Sequence, residues 1–139
     1  MRSGQNADIL DKTTYFQKFF GLYEYNKPGF IDDEKMKVKI GHIKEELAEI
    51  EKAYENKDLA EFADGVVDLL YVAIGLGALC NLPLKALYND VQNSNIIKKK
   101  RVEKLSEATK RGSTFDVRKE PDWVAPRGAE IIKFYQELN

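Results

Sequence analysis

Apolar residues recur at helical spacing along most of this chain. Aromatic side chains repeat every three or four positions in residues 9–23, which predicts a first helix that the Pro-Gly segment at 25–30 interrupts. A second amphipathic pattern covers residues 32–54 and predicts a long helix. The polar pair Asn56-Lys57 follows it and predicts a tight turn into the next helix.

The third pattern is apolar on nearly every side. It covers residues 59–80, and a helix of this kind is typical of the buried centre of a bundle. Asp58 and Glu61 have the spacing of a capping box, which places the start of this helix at Leu59.

The remaining patterns are shorter. They predict a helix over residues 83–105, an extended segment over 114–119 and a closing helix over 128–138. The sequence therefore predicts an all-α bundle of four or five helices in one domain, residues 1–139. We expect residues 1–8 to be disordered and residues 113–139 to form an irregular C-terminal arm.

Composition and charge narrow the class of protein. A net charge of −1 gives no general attraction to nucleic acid or to an anionic membrane, so we expect neither as a partner. Cys80 is the single cysteine, which excludes an internal disulfide and favours a reducing cytoplasm. Asp68 and small residues interrupt the longest apolar stretch, 66–82, which favours a core helix over a membrane span.

Two acidic clusters on consecutive predicted helices are the candidate chemistry. At 100° per residue, Glu46 and Glu49 lie about 60° apart on one helix face. Three acidic residues of the next helix share a window of roughly 60°; they are Glu61, Asp64 and Asp68. No Lys or Arg lies within residues 59–84 to balance them. Because all these donors are hard oxygens, the pattern favours Mg²⁺ or Mn²⁺.

Simpler interpretations exist for parts of this pattern. The glutamates of the second helix can form a solvated helix face, and Glu61 can serve only as a capping residue. A di-iron centre normally uses Glu-x-x-His pairs, which His42 does not form because Lys39 precedes it by three residues. Asp64 and Asp68 resist a simple interpretation, since their helix has almost no other polar position.

The spacing of these acidic residues resembles the metal-binding signature of the MazG-like all-α nucleoside triphosphate pyrophosphatases, including the dimeric dUTPase-like and phosphoribosyl-ATP pyrophosphohydrolase-like branches. The resemblance covers roughly residues 15–125. It is carried by Glu45-Glu46-x-x-Glu49, Glu61-x-x-Asp64, Asp68-x-x-Tyr71, Ser94-Asn95-x-x-Lys98, Phe16-Gln17-x-x-Phe20-Gly21 and Lys119-Glu120-Pro121-Asp122-Trp123. Gln17 stands where the family has a histidine, a difference compatible with a phage or bacterial member that has its own nucleotide preference.

The resemblance implies hydrolysis of a nucleoside triphosphate, with dGTP or dUTP as candidates, to the monophosphate and pyrophosphate. It implies two or three Mg²⁺ or Mn²⁺ ions per site, a general base and several substrate-binding residues. The implied metal ligands are Glu46, Glu49, Glu61 and Asp64; the candidate base is Glu45, which can instead be a ligand of a further metal; the substrate-binding residues are Gln17, Asp68, Asn95 and Lys98. Asp68 can also be an extra metal ligand. Lys98 can instead belong to a solvated basic helix end.

Other functions remain open on the sequence. A phosphoribosyl-ATP pyrophosphohydrolase shares the implied fold and metal chemistry, whereas a non-catalytic helical interaction module would leave the acidic faces solvated. We also expect a homodimer or homotetramer, because assembly would bury the apolar third helix.

Overall fold

The computed structural model describes residues 8–22, 27–107, 113 and 115–138. Five α-helices and two three-residue strands form within these ranges, which confirms the predicted all-α class. The chain divides into two compact units, residues 1–84 with 138–139 and residues 85–137. One domain over residues 1–139 stays a prediction.

The first unit contains three helices and the start of a fourth. They are α1 (Ile9–Phe19), α2 (Asp33–Glu55), α3 (Leu59–Leu79) and α4 (Leu84–Lys98). Each of the first three begins at an aspartate whose carboxylate accepts backbone N–H groups: Asp8 from Asp11, Asp32 from Lys35, and Asp58 from Ala60 and Glu61. These caps satisfy donors that the first turn of a helix leaves free. Asp8 is therefore placed, whereas residues 1–7 lie outside the described part of the chain.

The same three helices end in a common way. The residue that follows the C-cap of each helix adopts a left-handed backbone, with φ of +66° at Gly21, +56° at Lys57 and +50° at Asn81. The following N–H groups donate back to carbonyl oxygens of the last turn, for example Asp58 N to Ala53 O at 2.9 Å. This arrangement is the Schellman motif, and it makes the turn between α2 and α3 as short as the sequence predicts.

The core of this unit is small. Ile31, Leu79 and Cys80 are buried, with Met36, Leu76 and Leu82 packed against them. The expectation that α3 is buried along its length is wrong for the isolated chain, since Leu59 is 78% exposed and Val67 60%. Packing on α1 and α2 leaves one side of α3 open, and apart from Gly65 its buried residues lie between Ile74 and Leu79.

By length and composition alone, α3 is also apolar enough to cross a membrane. A third of its most apolar 18-residue stretch is buried inside the protein. That test is weak evidence, because core helices of soluble proteins also pass it. Three carboxylates lie along the helix: Glu61, Asp64 and Asp68. A charged side chain in the middle of a bilayer is costly, so we keep the interpretation of α3 as a packing helix.

The second unit consists of the rest of α4, an antiparallel ribbon of β1 (Lys99–Arg101) and β2 (Val117–Lys119), a 3₁₀ turn at Leu105–Glu107, and α5 (Gly128–Glu137). The predicted fourth helix is thus too long, because it ends at Lys98 rather than near residue 105. Pairing with β2 extends the chain at Lys99, and Val102, only 1% exposed, continues the pairing by donating its N–H to Asp116 O at 3.0 Å. The closing helix confirms the prediction for residues 128–138.

Candidate metal centre

The site is built where α2 and α3 approach each other. A Cβ added to Gly65 would lie 2.9 Å from Ile50 Cγ1, closer than real Cβ atoms come to a neighbour. The short turn at Asn56-Lys57 makes the two helices antiparallel neighbours. Glu49 and Asp64, which precede Ile50 and Gly65 in the sequence, therefore lie close to this contact.

Glu46 is the electrostatic centre of the carboxylates. Its side chain is half-buried, and its Oε2 atom is buried without a hydrogen-bond partner. Loss of solvent raises the pKa of this carboxyl above its usual value, and the negative charges of neighbouring carboxylates raise it further. In decreasing order of effect these neighbours are Glu49, Asp68, Glu45 and Asp64. The structure therefore brings these five carboxylates of α2 and α3 into one electrostatic group.

A pocket of about 300 Å³ lies beside this group. Three of the four predicted metal ligands line it, namely Glu49, Glu61 and Asp64. The other lining residues are Lys52, Ala53, Asn56, Asp58 and Gly65. Glu49 and Asp64 belong both to this pocket and to the carboxylates around Glu46, so the two halves of the site are continuous.

Lys52 is a lining residue that the sequence analysis missed. It follows Glu49 by three positions on α2, a spacing that places two side chains on neighbouring parts of one helix face. Continuing the helical phase past Glu49 was the signal that would have found it. Among the residues that line the pocket, Lys52 is the one cation.

The donor set fits a hard divalent cation. A buried carboxylate oxygen without a partner, surrounded by further carboxylates, is costly unless a cation compensates it. Within the described ranges, no three His, Cys, Asp or Glu side chains converge closely enough to hold an ion as they stand. Carboxylate side chains such as Glu46, Glu49 and Asp64 can change rotamer, so the fit rests on their chemistry and shared position rather than on a finished coordination shell.

The other predicted residues are placed differently. Gln17 of α1 is buried, its Oε1 has no partner, and its Nε2 would lie 2.8 Å from a Cβ at Gly75 of α3. Asn95 is half-buried in the second unit. Lys98 is the last residue of α4, and its side chain lies outside the described part of the structure. Substrate binding by these three residues stays a prediction.

Comparison with known proteins identifies the family. The family model for phosphoribosyl-ATP pyrophosphohydrolase matches residues 14–95, well over half of the chain. The matched range contains every acidic residue of the site and ends before Lys98 and the ribbon. A search of curated proteins found no match. The family match supports a general pyrophosphohydrolase function that acts on acid anhydrides. The chain therefore belongs to the phosphoribosyl-ATP pyrophosphohydrolase family.

Proposed function

We propose that this protein is a nucleoside triphosphate pyrophosphatase that depends on Mg²⁺ or Mn²⁺ and acts in control of the nucleotide pool. It hydrolyses a ribo- or deoxyribonucleoside triphosphate, with dGTP or dUTP as candidates, to the monophosphate and pyrophosphate. The observation that carries the proposal is the half-buried Glu46, whose Oε2 atom is buried without a partner and whose pKa is raised by loss of solvent and by neighbouring carboxylates.

Four residues would hold the cations, two or three per site: Glu46, Glu49, Glu61 and Asp64. A bound divalent cation would neutralise phosphate oxygens and make a bound water more acidic. This acidic pocket would otherwise repel a triphosphate, which carries roughly four negative charges. Lys52 is the pocket's own cation and is suited to contact a phosphate oxygen.

Glu45 would act as the general base. It lies next to Glu46 in sequence, its side chain is exposed, and it contributes to the negative potential around Glu46. In the proposed step a water oxygen attacks the α-phosphorus, and Glu45 accepts the proton from that water. The bond from the α-phosphorus to the bridging oxygen breaks, and pyrophosphate leaves with the electron pair.

Substrate positioning is proposed for Gln17, Asp68, Asn95 and Lys98. Asp68 already belongs to the carboxylates around Glu46, which suits a residue that orients a ligand or a water molecule. Gln17 has a free amide oxygen on a buried side chain, which suits a contact that only a ligand or a rearranged helix α1 would complete.

Hydrolysis of phosphoribosyl-ATP is the second candidate, because the matching family model carries that description. Each canonical ribo- and deoxyribonucleoside triphosphate and phosphoribosyl-ATP should be incubated with the protein and Mg²⁺ or Mn²⁺, and the products separated by chromatography. We expect a monophosphate and pyrophosphate from one nucleoside triphosphate. Turnover of phosphoribosyl-ATP alone would select the second candidate.

Two variants of α2 test the site in the same assay. Glu46→Gln removes the central carboxylate, and we expect it to lower turnover at least 100-fold. Glu51→Gln removes one charge from an exposed position of the same helix and should leave turnover within twofold of the parent. Full activity in Glu46→Gln, or no product from any nucleotide, would contradict the proposal. A non-catalytic module would in addition show no thermal shift with Mg²⁺ or Mn²⁺.

We further propose a homodimer or homotetramer in the cytoplasm of a bacterium, or of the bacterial host if a phage encodes the chain. Exposed apolar side chains on α1 and α3 support assembly, among them Phe19 at 64% and Val67 at 60%. We expect light scattering at micromolar concentration to give a mass of at least twice 15.9 kDa. A monomeric mass would contradict this part of the proposal.

A further inference from the structure

The two-stranded ribbon of the second unit is strongly basic. Five of its six positions are Lys or Arg: Lys99, Lys100, Arg101, Arg118 and Lys119. The rest of the chain has 17 basic and 23 acidic residues, so its net charge is negative. Positive charge is therefore concentrated on this ribbon, within a protein whose overall charge is close to zero.

The register of the strands places basic residues opposite one another, and the structure describes the side chains of three of them, Lys100, Arg118 and Lys119. Lys99 pairs with Lys119, and Lys100 pairs with Arg118. Directly opposed residues in an antiparallel pair have Cα atoms about 4.5–5.5 Å apart, and like charges at that distance destabilise the pairing. A two-stranded ribbon is marginally stable even without such repulsion. An anionic ligand would relieve the cost that this register imposes.

Among the described side chains around the ribbon, one carboxylate is shared by two of its cations. Glu120 lies between two cations, with Oε1 3.5 Å from Lys100 Nζ and Oε2 3.7 Å from Arg118 Nη1. One carboxylate thus faces two positive charges. Lys119 Nζ lies 3.7 Å from the centre of the Trp123 ring, a contact that positions the ammonium group without neutralising it.

We propose that this ribbon is a binding site for a condensed phosphate group, either inorganic pyrophosphate or the phosphate chain of a nucleotide. Three residues of a strand span roughly 10 Å, a length suited to a chain of two or three phosphates. The planar guanidinium of Arg118 is suited to bidentate contact with phosphate oxygens. A long nucleic acid is disfavoured, because beyond the ribbon the chain carries more acidic than basic residues.

The family model does not cover this ribbon, although Lys119 also belongs to a motif that carries the resemblance. The family match ends at residue 95, before the ribbon begins. The inference also does not depend on the proposed hydrolysis, because it rests on the charges, the strand register and the contacts of the ribbon itself.

Calorimetric titration in EDTA tests the proposal, because without divalent cations the carboxylates of the acidic pocket would repel a phosphate chain. We expect saturable binding of inorganic tripolyphosphate and pyrophosphate, with phosphate weaker, and affinity that falls as salt rises. A nucleoside triphosphate in a parallel titration distinguishes the sources. Binding equal to that of tripolyphosphate places recognition on the phosphate chain alone, and tighter binding identifies a nucleotide as the ligand.

Variants of exposed residues locate the site. Lys100→Ala and Lys119→Ala should each weaken binding of tripolyphosphate at least threefold. Lys133→Ala is the matched control, because it removes one positive charge from the same unit at an exposed position paired with Glu137 at 3.9 Å. Glu46→Gln should bind tripolyphosphate like the parent, which separates a failure of this proposal from a failure of the proposed hydrolysis.

Three results would overturn the inference. They are no binding of tripolyphosphate or pyrophosphate by the parent protein, equal weakening by Lys133→Ala and the ribbon variants, and tighter binding of a single-stranded oligonucleotide than of tripolyphosphate. Circular dichroism of each variant, matched to the parent, ensures that weaker binding reports the ribbon rather than a loss of fold.

Discussion

The close contact of α2 and α3 at Gly65 can be tested by adding one methyl group. In Gly65→Ala the new Cβ would lie 2.9 Å from Ile50 Cγ1 and 3.5 Å from Ile50 N. Carbon atoms prefer about 3.5–4.0 Å, so the side chain of Ile50 or the helix axis must shift by about 0.6 Å or more. Ile50 is β-branched and has one strongly preferred rotamer in a helix, so it cannot easily turn away.

The expected change in stability follows from two opposing effects. Overpacking of this kind costs about 1–3 kcal/mol, whereas Gly to Ala in a helix interior gains about 1 kcal/mol. We therefore expect Gly65→Ala to range from neutral to about 2 kcal/mol less stable than the parent. Turnover should also fall, because the neighbouring Asp64 would move relative to Glu49 on α2.

Gly41→Ala is the matched control. Gly41 lies within α2, whereas Gly65 lies within α3, and nothing is within 4 Å of a Cβ built at Gly41. The control variant should therefore show only the gain of about 1 kcal/mol. Urea unfolding of both variants at one protein concentration isolates the contact, since assembly would make stability depend on concentration. Equal stabilisation of the two variants would refute the close approach of α2 and α3.

Three further predictions concern carboxylates. Asp58→Ala should destabilise the protein by about 1 kcal/mol because α3 loses its cap, and Asp58→Ser should recover most of that loss; equal unfolding midpoints in urea would contradict the capping role. Because the pKa of Glu46 is raised in the folded protein, the folded state takes up a proton at a higher pH than the unfolded state does. Without divalent cations, the free energy of unfolding should therefore rise as pH falls from the folded-state pKa of Glu46 toward the usual value of 4.5. In Glu46→Gln the thermal unfolding temperature should not rise between pH 7 and 4.5, and at pH 7 this variant should be more stable than the parent. An unfolding temperature that depends on pH as in the parent would contradict the burial of this charge. The backbone N–H of Lys35 holds the pKa of Asp32 below 3.8. The ionised Asp32 therefore stabilises the fold above pH 3.8, and this stabilisation is lost as pH falls through the pKa of Asp32 in the folded protein. The stability of Asp32→Asn should depend less on pH below pH 4.

The helices could be predicted because their signals are local. The acidic N-caps at Asp32 and Asp58 and the turn at Asn56-Lys57 act within a few residues, and the structure places α2 and α3 accordingly. The end of α4 could not be predicted in this way. Four consecutive basic residues begin at its last position, Lys98. The strand that forms there instead of further helix pairs with residues 16 to 20 positions away.

The candidate site, too, could be predicted from the sequence only in part. Helical phase alone placed Glu46 and Glu49 on one face, and it placed Glu61 and Asp64 on another. It could not show that Glu46 is the buried member of the group, nor that Lys52 shares the pocket, because both depend on how closely α2 and α3 approach.

The sequence by itself determined the class of fold, the order of the helices and the acidic residues, because caps, periodicity and helical phase are properties of short segments. The tertiary structure decided which carboxylate loses its solvent, how much of α3 stays exposed and how the basic residues of the ribbon pair. These features depend on distances between segments that are far apart in the chain, and pattern along a sequence does not encode such distances directly.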